Sequence, residues 1–264
     1  MPPADAVAVP DVHDLPSKSN RRRFAVWTWT PPGPGPFPAL VLLQGVSDAG
    51  GHGWWVSGRA HEIVADMQRS GFADPPVIIM PTDTGAEHGS VWCDWKDRTT
   101  FAETWLADEL LPWIGRSRLP VDDRRWVTGL STGGYGAIRT ALRHPGLFSS
   151  ATGMSTMIHP DQMAMFVPAM PKRIWGSSRE VARNDLAVLV SDARAREGLR
   201  FAVDCGTDDL LMPANEAFHA ELLRRGIDHG YRTRPGGHDW AFWSSGLADH
   251  IRFHAGVPGP LSPG

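Results

Sequence analysis

The stretch Arg125-Trp-Val-Thr-Gly129-Leu-Ser131-Thr-Gly133-Gly-Tyr-Gly-Ala-Ile-Arg-Thr-Ala-Leu142 decides the fold. Its opening residues are β-branched and aromatic, as a strand requires, and its closing residues read as a helix. Between them Gly129-Leu-Ser131-Thr-Gly133 fits G-x-S-x-G, which in this setting predicts a tight strand-to-helix turn with Ser131 at its apex. The serine must take a strained backbone conformation there, so the residues two away on either side have to be small. The helix that follows directs its first amides, that of Thr132 among them, at the space beside the hydroxyl. An oxyanion forming in that space gains from backbone donors and from the helix dipole.

Outward from this turn, short β-rich runs alternate with helical patterns, which predicts an α/β fold with a mostly parallel central sheet and helices on both faces. The strand candidates are Phe24–Thr30, Ala39–Leu43, Val77–Met80, Arg125–Thr128, Ser149–Gly153, Leu199–Cys205 and Tyr231–Arg234. Ala39–Leu43 and Val77–Met80 are unbroken apolar runs, as expected of strands covered on both sides. Helical spacing is clearest over Phe101–Ile114, where Phe101, Trp105, Leu106, Leu110, Trp113 and Ile114 share one face. Thr132–Arg143, Arg179–Ala195, Ala214–Arg225 and Trp240–His254 are further helix candidates. Residues 1–20, rich in Pro, Asp and Ser without periodicity, read as a disordered tail, and residues 257–264 as a second tail, leaving 21–256 as a single domain. A Met-rich insertion near 154–180, with Met154, Met157, Met163, Met165, Met170, Phe166 and Trp175, is either adaptable core packing or an apolar flap over a substrate cleft.

With 264 residues, 42% of them hydrophobic and 21% charged, the composition is that of an ordinary globular chain. The net charge of −3 gives no electrostatic case for a nucleic-acid or anionic-membrane partner, and Arg21-Arg22-Arg23 reads as a solvated lead-in to a strand. No apolar run is long enough for a membrane span. Met1–Pro10 lacks the features of a secretory signal, so the chain as given is expected to be cytoplasmic, or secreted if a leader was removed. Cys93 and Cys205 give no readable disulfide framework, and neither sits on a turn suited to a thiol nucleophile. His61-Glu62 and Glu87-His88 lack a second histidine at metal-ligand spacing, and the glycines of 129–136 lack the Lys-Ser/Thr ending of a phosphate loop. No metal or other cofactor is expected.

A serine hydroxyl needs a base within hydrogen-bond reach, and that base an acid to hold it. Of the eleven histidines, His238 stands out, because Pro235-Gly-Gly-His-Asp-Trp240 is a loop placed just after the last expected strand. The acid should follow the preceding strand, in Gly206-Thr-Asp-Asp209, where Asp208 and Asp209 are both candidates. Either is also an ordinary turn or helix-capping aspartate.

Leu43-Gln-Gly-Val46, Gly129-Leu-Ser-Thr-Gly-Gly134, Cys205-Gly-Thr-Asp-Asp-Leu210 and Pro235-Gly-Gly-His-Asp-Trp240, taken together and in this order, resemble the esterase D group of α/β-hydrolases. That group includes S-formylglutathione hydrolases, tributyrin-type and feruloyl esterases and the antigen 85 mycolyltransferases. The resemblance runs from about residue 24 to residue 254. It implies that the acid is the fourth residue of Gly-Thr-x-Asp, here Asp209, and that the oxyanion is held by the amides of Thr132 and Val46. Gln44 departs from the pattern, since many relatives have His or Asp there. Ser90-Val-Trp-Cys-Asp-Trp95 and Phe101-Ala-Glu-Thr-Trp105 resemble the antigen 85 side of the group. Trp54, Trp55, Trp92 and Trp95, in Gly-rich loops that follow strands, and Trp240 beside the histidine are candidates to wall an acyl or aromatic pocket; indoles in such loops also simply fill a core. The implied activity is serine carboxylic-ester hydrolysis of a small-molecule ester or acyl substrate through an acyl-enzyme. An acyltransferase of the mycolyltransferase type, a thioester hydrolase of the S-formylglutathione type and a catalytically silent binding protein are the other outcomes compatible with the resemblance.

Overall fold

The computed structural model describes residues 9–46, 52–85 and 88–262. Eight strands make one sheet: β1 Asp11–Ser17, β2 Arg22–Trp29, β3 Phe37–Leu43, β4 Val77–Pro81, β5 Val121–Leu130, β6 Ser150–Met154, β7 Arg200–Gly206 and β8 Gly230–Arg234. Their order across the sheet is β1-β2-β4-β3-β5-β6-β7-β8. The six strands from β4 to β8 in that order run parallel, and the β1–β2 hairpin joins them antiparallel through β4. Every strand expected from the sequence is present.

The apolar runs alternate between two cores. Ala39, Val41 and Leu43 of β3 belong to the core on one face, with Ile79, Val127 and Ile138, while Leu40 and Leu42 belong to the other, with Ile78, Met80 and Trp126. Fully burying one such aliphatic side chain contributes roughly 1.5–3 kcal/mol, so a one-residue slip in β3 would be opposed from both faces at once. The helices Thr132–Arg143 and Met212–Arg224 cover the first face through Ile138, Phe218 and Leu222. Ala60–Arg69 and Trp240–His254 cover the second through Val64, Met67, Leu247 and Ile251. Among the described residues no helix is long and apolar enough to cross a membrane.

Several expectations are corrected. The stretch 1–20 is not a tail throughout, because Asp11–Ser17 pairs with β2 from Asp11 opposite Thr28 to Ser17 opposite Arg22. Its side chains are mostly exposed, as an edge strand allows, so no apolar alternation marks it, and Pro16 is tolerated there. The turn beyond it is held by Glu109, whose carboxylate accepts from the amides of Lys18 and Ser19 at 3.0 and 2.9 Å. At the other end the chain is exposed over 256–260, but Leu261 is buried with Ala202 and Phe253, so the stretch from 257 is anchored rather than free throughout. The segment expected as a helix over Arg179–Ala195 is broken into Ser178–Arg183 and Leu186–Leu189, because Asp185 accepts from the amide of Ala187 and caps a new helix. The helix from Ala102 to Arg116 widens to π geometry over Trp105–Leu110, with the Leu111 amide donating to Leu106 five residues back. Pro112 has no amide for the carbonyl four residues earlier, and the wider turn absorbs that mismatch.

Candidate active site

The site is assembled where three parallel strands end. Strand β5 delivers Ser131, whose φ of 55° and ψ of −121° place it at a sharp turn into the helix Thr132–Arg143. A non-glycine residue held at positive φ costs on the order of 1–3 kcal/mol, and such strain persists only where the surroundings fix it. Here Ser131 N–H donates to Met154 O at 2.9 Å, and Ser131 O accepts from the amides of Tyr135 and Met157. The flanking glycines are a steric requirement. A Cβ on Gly129 would lie 2.0 Å from Gly133 O, and one on Gly133 would lie 2.4 Å from Leu43 O.

Strands β7 and β8 deliver the other two side chains on loops that are stitched together by their backbones. Thr207 N–H donates to Arg234 O and Asp208 N–H to Gly236 O, both at 3.0 Å. Asp239 caps the helix Trp240–His254 by accepting from Phe242 N–H at 2.9 Å, which fixes the residue next to His238. The imidazole is thereby set between Ser131 and Asp209. His238 Nε2 lies 3.1 Å from Ser131 Oγ, and His238 Nδ1 lies 2.9 and 3.1 Å from the two oxygens of Asp209. A carboxylate only accepts, so Nδ1 carries the proton and Nε2 faces the hydroxyl with its lone pair.

Asp209 is buried, and burial favours its neutral form. Hydrogen bonds from His238, from Ser155 and from the Leu211 amide outweigh that penalty and hold its carboxyl below the ordinary carboxylate value. Asp208, the other candidate acid, is exposed.

A pocket of about 590 Å³ opens over Ser131 and His238. Its walls include Val46, Leu130, Met163, Phe166, Trp240 and Trp243. Val46 lies close to the serine, because the preceding Gly45 is so near that a Cβ there would touch Ser131 Cβ at 3.0 Å. Thr132 is the buried first residue of the helix, where amides have no intrahelical acceptor. Gln44 is buried with no partner for either side-chain amide atom among the described residues, and its main-chain oxygen accepts from Trp92 Nε1–H at 2.9 Å. Of the Met-rich segment, Met163 and Phe166 line the pocket whereas Met154, Met157 and Met170 are buried.

Of the tryptophans expected in the pocket, Trp240 lines it and Trp54, Trp55, Trp92 and Trp95 do not. Trp54 is buried behind Trp240, edge to face with ring centroids 5.3 Å apart. Trp55 stacks on His61 at 3.6 Å. Trp92 and Trp95 are buried and direct their indole N–H groups to the main-chain oxygens of Gln44 and Ser90. An indole has much apolar area and one donor, so a core position that supplies one acceptor satisfies it fully.

Two residues that the sequence does not mark support the histidine. Trp243 meets the His238 ring edge to face at 5.1 Å and is itself met by Trp240 at 5.3 Å. Its Nε1–H donates to Ser155 Oγ at 2.9 Å. Ser155 is fully buried, has a φ of 48° and donates its amide to Asp204 O at 2.7 Å. Trp243 stands three residues after Trp240 on an amphipathic helix, the spacing of any core residue, and a single serine in a loop carries no signal at all.

Cys93 and Cys205 are free and buried. Burial pushes the Cys93 thiol up to about 12, which leaves no thiolate at neutral pH.

Residues 17–254 match the model of a family described as "Putative esterase". An acetyl esterase of Caldicellulosiruptor saccharolyticus is 26% identical over 188 residues, 64% of this chain and 69% of that protein. Among solved structures, a ferulic acid esterase superposes with a TM-score of 0.79 at 26% identity, over 93% of this chain and 97% of that one. An S-formylglutathione hydrolase from Agrobacterium tumefaciens superposes with a TM-score of 0.77 at 21% identity, over 94% and 95% of the two chains, a likeness of fold.

Proposed function

Because the chain belongs to this esterase family, with the fold of the α/β-hydrolases, we propose that it hydrolyses carboxylic esters through an acyl-enzyme formed on Ser131. The observation that carries the reading is the unbroken chain from Ser131 Oγ through His238 to Asp209, lying at the base of a largely apolar pocket.

Ser131 Oγ attacks the ester carbonyl carbon while His238 Nε2 takes the hydroxyl proton. The carbonyl oxygen becomes an oxyanion, held by the amides of Val46 and Thr132; one such donor is worth about 2.7–4 kcal/mol in a related setting. As the oxyanion collapses, the C–O bond to the alcohol breaks and His238 returns its proton to the departing oxygen. Water then enters, gives a proton to Nε2 and attacks the acyl carbon. The second collapse releases the carboxylic acid and restores the Ser131 hydroxyl with the proton from His238. Asp209 stays ionised throughout, opposing the positive charge that appears on the imidazole twice per turnover.

Reaction with a fluorophosphonate tests the assignment. The expected result is one covalent adduct on Ser131, none on Ser131→Ala, and a loss of ester hydrolysis by that variant on the order of 10⁶-fold, as serine deletion causes elsewhere. Near-complete hydrolysis of a short p-nitrophenyl ester by Ser131→Ala would overturn it.

A further inference from the structure

A second cavity, of about 170 Å³, adjoins the active-site pocket and shares His88 with it. Its remaining wall is made chiefly by Arg22, Arg173, Trp95, Thr99 and Thr100, and among the described residues no carboxylate lines it. Arg22 belongs to the basic triplet at the start of β2. Its guanidinium donates to Thr84 O and lies over the Phe24 ring, 4.6 Å from the centroid, contacts that fix the group without neutralising it. Asp83, which feels the charge of Arg22, is buried, which pushes its carboxyl above the ordinary value, and its oxygens are taken by the amides of Gly85 and Ser90 at 2.7 and 2.9 Å. Arg173 is paired with Asp97 at 3.2 Å and spread over the Trp95 ring, 4.8 Å from the centroid. Two guanidiniums are thus held in place by a main-chain oxygen, two aromatic rings and one carboxylate, in a cavity that shares the His88 wall with the pocket over Ser131.

We propose that this cavity is a subsite for an anionic substituent of the ester substrate, a group of carboxylate type carried on the acyl chain or on the alcohol. The inference rests on the esterase reading of Ser131 and adds a substrate class to it. Guanidinium groups bind carboxylates through paired, charge-assisted hydrogen bonds. Fixing the side chains beforehand removes much of the ordering cost that usually weakens exposed ion pairs. Arg22 carries the larger share, because Arg173 is already shared with Asp97.

The test compares kcat/KM for two matched pairs of esters. In one pair the charge is on the acyl side, mono-p-nitrophenyl adipate against p-nitrophenyl hexanoate. In the other it is on the leaving group, meta-carboxyphenyl acetate against phenyl acetate. The anionic-to-neutral ratio of at least one pair is expected to fall on the order of tenfold or more in Arg22→Gln, and by less in Arg173→Gln, since a charge-assisted contact is worth that much. Neutral-ester hydrolysis should stay within about twofold, the level of ordinary surface substitutions. In the wild type the same ratio should drop between about 20 mM and about 500 mM salt, as screening requires. Unchanged ratios in both variants for both pairs overturn the proposal. If Arg22→Gln loses neutral-ester activity through misfolding, the wild-type salt series and Arg173→Gln decide, and ratios flat in both overturn it. Failure of the wild type to hydrolyse the neutral esters would instead defeat the Ser131 reading.

Discussion

Trp243 meets the His238 imidazole edge to face, with ring centroids 5.1 Å apart and planes at 86°. The contact stands at the head of a series, since Trp240 meets Trp243 and Trp54 meets Trp240 in the same manner. Each such pair is worth about 0.5–1.5 kcal/mol beyond its buried area. Trp243→Phe keeps a ring against the imidazole but removes the donor to Ser155. It is expected to lower kcat by about twofold to tenfold with KM little changed, and Trp243→Ala by more. Steady-state kinetics on a short ester check this, and a wild-type kcat in Trp243→Ala would reduce the ring contact to mere packing.

The two neighbouring aspartates should separate cleanly. Asp209→Asn removes the acceptor that fixes the imidazole tautomer and is expected to lower kcat by roughly 10³–10⁴-fold, as in triads generally. Asp208→Asn alters an exposed side chain and should stay within about twofold of the wild type. The reverse order of effects would assign the acid to Asp208.

Within Pro235-Gly-Gly-His-Asp-Trp240 the two glycines are unequal. Gly236 has a φ of 141°, and a Cβ there would lie 2.6 Å from the Phe242 ring, whereas a Cβ on Gly237 would meet nothing nearer than Asp239 Oδ2 at 3.8 Å. Gly236→Ala is therefore expected to destabilise the protein by about 1–3 kcal/mol and to impair hydrolysis, because the strained loop carries His238. Gly237→Ala should leave both nearly unchanged. Thermal melts and kcat/KM for the pair would show it, and equal effects would refute the steric argument.

Glu103 links the helix that begins at Ala102 to the helix of the serine turn. Its carboxylate accepts from Arg139 and Arg143 at 2.7 Å and lies 2.9 Å from His144 Nε2. Burial opposes its ionisation, but His144 and the two arginines outweigh that and hold its carboxyl well below the ordinary value. With the folded value depressed, its contribution to stability is complete above the unfolded value of about 4.3 and is lost as pH falls toward the folded one. Glu103→Gln leaves Arg139 buried without its counter-charge and is expected to cost about 3–5 kcal/mol, lowering Tm by at least about 6 °C. The variant should also lose less stability than the wild type on acidification from about pH 5 to about pH 3, for the same linkage reason. An identical acid dependence in the two proteins would show that Glu103 does not titrate with unfolding.

The turn at Ser131 was legible because covalent geometry demands it. Glycines two residues away on each side, a strand before and a helix after are all local requirements, and local requirements leave marks in a sequence. The pairing of His238 with the Gly-Thr-Asp-Asp loop was legible to within one residue, since chain order limits which loops can meet but not which of two adjacent carboxylates turns inward. The tryptophans were left undecided because an indole in a Gly-rich loop gives the same letters whether it faces a cleft or a core; the acceptors of the Trp92 and Trp95 indoles are main-chain oxygens, which every residue has. Strand β1 went unseen for the opposite reason. An edge strand with little to bury needs no apolar alternation, and its partner supplies the hydrogen bonds.

The helix Trp240–His254 begins one residue after Asp239 and ends where Arg200 donates to the main-chain oxygens of Phe253 and His254. Its fifteen residues make a rigid rod of roughly 22 Å, so the histidine loop and the start of β6, where His254 meets Ser150, share one lever arm. Leu261 wedges the chain against the distal end of that rod, beside Phe253. A fusion partner or trimming that dislodged this wedge would be transmitted along the rod to the imidazole, and kinetics would report damage inflicted at the helix's other end.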